Sequence, residues 1–276
     1  MITHMNKVGL ADEKKLKITS FFASGVSGFF GASGALFFNW ITQHWLGRGM
    51  KRTNGLALFT ISISAIVSIA LRTLWPVQEP YVDWQKVQIL FISIACGVVG
   101  VIVGKLYEKK LQEKHLRQLF IGIILFVGLK LLGLIPEQLF SYVPLGQWPT
   151  TALWSFVAGI SSPPLGMGAG VFLVPTFLGI GFSRDEGILM SLIVSVVLML
   201  FGTWLFHKAK QLEVQDLRHV WFPAVLGTPV GVWLSYQVSP EHFQSLFGIV
   251  LIFAAGKTLY DNSRTHSRQS VGVNGV

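Results

Sequence analysis

Residues 27–38 read SGFFGASGALFF, and residues 162–173 read SPPLGMGAGVFL. Each stretch places small residues in the middle of an apolar block, where an unbroken membrane helix would carry bulky aliphatic side chains. Ser27 aligns with Ser162 and Gly31 with Gly166, both pairs 135 residues apart. Pro163 and Pro164 stand ahead of the second glycine run. Proline lacks a backbone donor and clashes with the preceding turn, and the residue before it avoids the α region. A continuous helix through SSPPLGMGAG is therefore not expected. Each block instead fits two half-helices of about 12–14 residues, the second beginning near Ala35 or near Gly170.

The surroundings of these two stretches set the fold class. The chain is 51% hydrophobic and 13% charged, against roughly 25% charge in a soluble domain. The charge is clustered, leaving apolar segments at about 18–46, 55–74, 87–104 and 118–135, then at 150–182, 187–206, 220–238 and 243–260. A spanning helix needs about 20 apolar residues. The segments lack the alternation of outer-membrane strands. The expectation is an all-α polytopic membrane protein with an N-terminal tail over 1–17, a linker over 136–149 and a C-terminal tail over 261–276. The net charge of +9 reads as membrane orientation rather than as a nucleic-acid partner. Cys96 is the one cysteine, so neither a disulfide framework nor a thiolate metal cluster is expected, and no motif calls for a metal or cofactor.

The match between the opening stretches extends along the chain. HLRQLFIGIILFVGLKLL (115–132) lies over HFQSLFGIVLIFAAGKTL (242–259) without a gap, and LGRGMKRTNGL (46–56) over LGIGFSRDEGI (178–188) with three glycines in register. The chain thus reads as two four-segment halves, 18–135 and 150–260. Gly97, Gly100, Gly104, Gly227 and Gly231 read as close helix packing. Trp45, Trp75, Trp84, Trp148, Trp204 and Trp221 sit near segment ends, as an interfacial belt would, while Trp40 reads as internal.

Positive charge chooses the topology. If all eight segments cross with the N-terminus inside, 13 Lys and Arg fall inside and 9 outside. If the first segment of each half is re-entrant, 18 fall inside and 4, Arg72, Lys86, Lys130 and Arg184, outside. The second arrangement gives each half three crossings. The halves then have opposite orientation, an inverted repeat of the secondary-transporter kind, with both termini cytoplasmic in the plasma membrane.

Two glycine-rich breaks inside such a bundle imply a binding site. Helix N-termini expose unpaired N–H groups and partial positive charge, and together they suit an anion. The candidate ligands are Ser27, Gly31, Ser33, Gly34 and Asn39 from the first break, and Ser161, Ser162, Gly166, Gly168 and Gly170 from the second. No Asp or Glu falls inside a segment, as a proton or sodium relay would want. An interior-negative potential favours anion export by about 2.3 kcal/mol per charge per 100 mV, so uniport is the expected mode. A passive anion channel is the nearest alternative. An intramembrane serine protease using Ser33 is another, but no histidine lies at nucleophile depth and GMGAG lacks the serine.

AGISSPPLGMGAGVFLVP (158–175), with Pro175 in place and SRDEGILMSLIVS (183–195) following, resembles the repeated AGxxxGxxGxGGGxxxxP stretch of the sulfite exporter TauE/SafE family. The first copy, SGVSGFFGASGALFFNW (24–40), is more diverged: Ser33 and Ala35 replace glycines and Trp40 stands where proline is expected. The resemblance covers about residues 18–260. It implies a permease, not an enzyme, for small sulfur-containing anions: sulfite, thiosulfate, sulfoacetate and related sulfonates.

Overall fold

A computed structural model describes residues 2–31, 34–47, 50–74, 84–108, 110, 113–135, 146–212, 214–239, 242–253, 255–256 and 259–260. The expected C-terminal tail and most of the linker lie outside them. Every regular element among the described residues is helical: α1 (Ile2–Phe30), α2 (Ala35–Leu46), α3 (Met50–Leu74), α4 (Trp84–Glu108), α5 (Glu113–Leu131), α6 (Gln147–Leu165), α7 (Gly170–Gly179), α8 (Arg184–Lys208), α9 (Val214–Gln237) and α10 (His242–Phe253). The half-helices after the breaks begin at Ala35 and Gly170 as expected. The polar residues 2–17 form the first turns of α1.

Compactness cuts across the two sequence halves. One unit comprises Met1–Glu113 with Pro144–Ser239, and a second comprises Lys114–Val143 with Pro240–Val276. In the second unit α5 and α10 cross where Gly128 meets Gly248, close enough that a Cβ on Gly248 would lie 3.0 Å from the Gly128 carbonyl oxygen. In the first unit α1 packs along α9, α4 along α6, and α3 against α8. The fourth helix of each half thus lies on the first helix of the other.

The glycines set aside for helix packing make these crossings. A Cβ on Gly100 or Gly104 would strike the carbonyl oxygen of Phe156 or Ile160 on α6; a Cβ on Gly227 or Gly231 would strike that of Phe21 or Gly25 on α1. These contacts are the same two contacts in the two halves. Gly100 and Gly227, like Gly104 and Gly231, are 127 residues apart; Phe21 and Phe156, like Gly25 and Ile160, are 135 apart. Those are the offsets already read from the sequence. Small residues let backbones approach this closely, which is how helices associate where lipid removes the hydrophobic drive.

α1 with α2, and α6 with α7, form hairpins rather than broken straight helices. Lys15 Nζ donates to the Trp45 carbonyl (3.1 Å), closing the mouth of the first, and Gln147 Nε2 donates to the Ile180 carbonyl (3.0 Å), closing the second. Trp154 and Phe172 stack across the second hairpin, ring centroids 6.2 Å apart. The mouths lie at opposite ends of the unit. At the first are the Glu13–His219 pair and Gly55 against Phe206. At the other are Gln85 on Gln147, Lys86 on Glu186, and Arg184 on the Val238 carbonyl.

α8 starts where its sequence caps it. Ser183 and Glu186 form a capping box, each satisfying the other's backbone N–H. α3, α4 and α8 are long and apolar enough to cross a membrane. Phe91, Ile102, Leu200, Phe222 and Trp233 are exposed on the surface, as are Trp45, Trp84, Trp148, Trp204 and Trp221. Trp75 lies outside the described residues.

Candidate functional site

Both hairpin tips are built alike. α1 stops at Gly31 (φ 75°) and α6 at Gly166 (φ 58°), left-handed conformations that strain any residue with a Cβ. The second break falls just after the prolines, within the SSPPLGMGAG stretch where no continuous helix is expected. Pro163 and Pro164 lie within α6, in its last turn, so the helix carries through both despite their missing N–H donors. The half-helices that follow are preceded by Gly34 (φ −65°, ψ −17°) and Ala169 (φ −61°, ψ −21°), and no side chain among the described residues caps either N-terminus.

The tips pass one another instead of meeting end to end. A Cβ on Gly31 would touch Ile188 of α8 and Val174 of α7, and one on Gly166 would strike Asn39 of α2 and Asn54 of α3. Asn39 and Val174 are themselves 135 residues apart. The tip of each hairpin therefore lies against the other hairpin's half-helix, about one turn past its start. Every residue from Ser161 to Phe177 is buried, as are Gly34, Ala35, Leu36, Phe38 and Asn39.

The expected site residues fall into three groups. Ser27 and Ser162, at matching positions, are fully buried, and neither Oγ has a hydrogen-bond partner among the described residues. Ser27 Cβ would lie 2.8 Å from a Cβ on Gly34, which sets this serine beside the α2 N-terminus. Gly31, Gly166, Gly168 and Gly170 form the tips. The third group is committed elsewhere. Ser161 Oγ donates back to the Val157 carbonyl (2.8 Å). Asn39 Nδ2 donates to Leu165 O (3.0 Å), Gly166 O (3.2 Å) and Asn54 Oδ1 (3.1 Å), leaving only its buried Oδ1 without a partner. Gly34 packs on the Ala23 carbonyl of its own hairpin. Ser33 lies outside the described residues.

Two residues at the tips escaped the sequence reading. Asn54 Nδ2 donates to Pro163 O (3.0 Å) and Pro164 O (2.8 Å). With Asn39 it satisfies the carbonyls that end α6, which no helical N–H can reach. Arg72 Nη2 donates to Gly28 O (2.9 Å), the counterpart of Pro163 O in the first hairpin. Asn54 sits in an Asn-Gly pair behind a basic run, which reads as a loop, and Arg72 reads as an orientation charge at the outer end of its segment.

The two hairpins open at opposite ends of the unit, and the tip of each lies against the half-helix of the other. The sequence model of the sulfite exporter TauE/SafE family matches residues 6–131 and 151–275. The chain belongs to this family. It is accordingly a membrane protein of a transporter family. No curated protein and no solved structure matched the chain. Within this TauE/SafE protein the matched stretches take in both hairpin tips, all the candidate site residues, Asn54 and Arg72. One buried ion pair stands apart from the tips: Lys105 and Glu108, at the end of α4, pair with each other, and Lys105 also reaches Gln211 (2.6 Å).

Proposed function

We propose that this protein is a secondary transporter that moves a small sulfur-containing anion (sulfite, thiosulfate, sulfoacetate or a related sulfonate) across the plasma membrane, bound between the first turns of α2 and α7. One observation carries the reading. At each tip an uncapped helix N-terminus is buried with an unpartnered serine, Ser27 or Ser162, at the matching position of each hairpin. Buried hydroxyls without partners are costly, and an oxyanion supplies acceptors to them and to the N-terminal N–H groups at once.

The two hairpins suit re-entrant segments. α2 has 12 residues and α7 has 10, so they reach about 18 and 15 Å, well short of a hydrocarbon core of about 30 Å. The matched glycine crossings and the opposed hairpin mouths support an inverted repeat. Alternating access then follows from rocking one hairpin against the other about the shared site. The end carrying Lys15, Lys105 and Lys208 is cytoplasmic by the positive-inside rule, and export is a uniport driven by gradient and potential.

The test is flux in proteoliposomes under an imposed potential. Saturable, potential-dependent flux of a sulfur anion is expected; ohmic single-channel currents would replace the carrier with a channel. Ser27→Ala and Ser162→Ala should each raise the half-saturating concentration about tenfold, the loss of one hydrogen bond to a charged ligand. Their thermal stability should be unchanged or higher, because the hydroxyl removed has no partner among the described residues. Unaltered half-saturation in both variants would remove the serines from the site.

A further inference from the structure

We propose that Arg72 is the anion gate at the Asp185 end of the first hairpin, and that the transported oxyanion passes it by displacing Asp185 from the guanidinium. The proposal rests on the anion-transport reading above. Arg72 lies in the spanning part of α3, and its side chain is 4% exposed. Nη2 donates to Gly28 O and to Ser235 Oγ, both at 2.9 Å. These bonds tie the guanidinium to α1 about one turn before the Gly31 break and to α9. The Tyr236 ring lies 5.3 Å from the guanidinium carbon.

The rest of the guanidinium is poorly matched. Arginine carries five N–H donors. Nε and Nη1 have no hydrogen-bond acceptor among the described residues. The opposing carboxylate, Asp185, stands 3.9 Å from Nη1, beyond hydrogen-bond range. Asp185 is 36% exposed at its side chain and is shared with Arg184, whose Nε lies 3.4 Å from the same oxygen. A buried cation is expected to be closely paired. Here a half-exposed carboxylate stands off the position that a mobile oxyanion would fill more closely.

The second hairpin separates structural need from surplus charge. Its equivalent carbonyl, Pro163 O, is held by the neutral amide of Asn54. Holding a hairpin end therefore requires a donor, not a cation. The positive charge of Arg72 exceeds what the hairpin end needs, and among the described side chains that hold these two carbonyls it is matched by a neutral amide at the other tip, which makes the Arg72 side of the path the more attractive to anions.

The experiment measures half-saturating sulfite, thiosulfate and sulfoacetate, and maximal rate, in proteoliposomes. Asp185→Asn removes the competing carboxylate and should lower half-saturation at least threefold. Arg72→Gln keeps an amide donor for Gly28 O but loses the charge, and should raise half-saturation at least tenfold. Half-saturation within twofold of the unsubstituted protein in both variants, or a change in maximal rate alone, overturns the gate. If Arg72→Gln does not fold, Asp185→Asn decides by itself, and an increase in its half-saturation also overturns the proposal. Saturable flux in the unsubstituted protein with unmoved variants sinks the gate alone. Absence of flux for all three anions sinks the transport reading and the gate with it.

Discussion

Gly231→Ala and Gly104→Ala should each lower the melting temperature in detergent by about 5–10 °C and sharply reduce the yield of folded protein. The obstacle in both variants is backbone. The new methyl group would run into the carbonyl oxygen of Gly25 on α1 or of Ile160 on α6. A flexible side chain could swing aside, but a helix carbonyl moves only if the helices part. Overpacking of this kind costs about 1–3 kcal/mol, and a fixed carbonyl puts both sites at the upper end. Gly122→Ala is the control: a Cβ there meets nothing within 4 Å, and alanine favours helix over glycine by about 1 kcal/mol. The two crossings are matched contacts, so the two losses should also be similar. A melting temperature for Gly231→Ala equal to that of Gly122→Ala would mean that α1 and α9 are not held this closely.

These crossings also show what the sequence could and could not convey. The offsets 135 and 127, the packing role of the glycines and the starts of α2 and α7 were all legible, because each is a local property of glycine spacing. Partner exchange was not. Nothing in Gly104 or Gly231 says that its counterpart belongs to the other half, so the halves read as successive blocks when they interlock. The prolines mark the neighbourhood of the break, which follows them within SSPPLGMGAG, but not what holds it: the carbonyls they carry are taken by a side chain distant in sequence. That side chain belongs to Asn54, hidden in an Asn-Gly pair beside Lys51 and Arg52, where composition reads as loop. Asn39 was singled out for its amide, yet its N–H groups hold α6 in place; a lone asparagine in an apolar helix gives no sign of whether protein or ligand satisfies it.

Asn54→Leu should have the largest effect on transport of any neutral substitution at the tips. Leucine matches the asparagine in size and removes both donated bonds, leaving Pro163 O and Pro164 O buried without donors. Each unmet group costs about 1–3 kcal/mol, together about 2–6 kcal/mol, and the α6 end can relieve that cost only by moving. Gly166, Ala169 and the α7 N-terminus move with it, so the alignment of α7 beside α2 is lost. Flux is expected to fall more than tenfold, with a lower melting temperature. Asn54→Asp separates shape from hydrogen bonding: it is isosteric, but a carboxylate accepts only and would face two carbonyl oxygens, so it should be at least as damaging as leucine. Asn54→Gln retains the donors on a longer arm and should recover part of the flux. Because Asn39 and Asn54 bond to each other and hold neighbouring carbonyls, Asn39→Leu combined with Asn54→Leu should cost less than the sum of the single changes. Additive losses would mean that the two amides act independently. Native flux and melting temperature in Asn54→Leu would mean that the tip of the second hairpin is positioned by its glycines alone, since the polar contacts would then be dispensable.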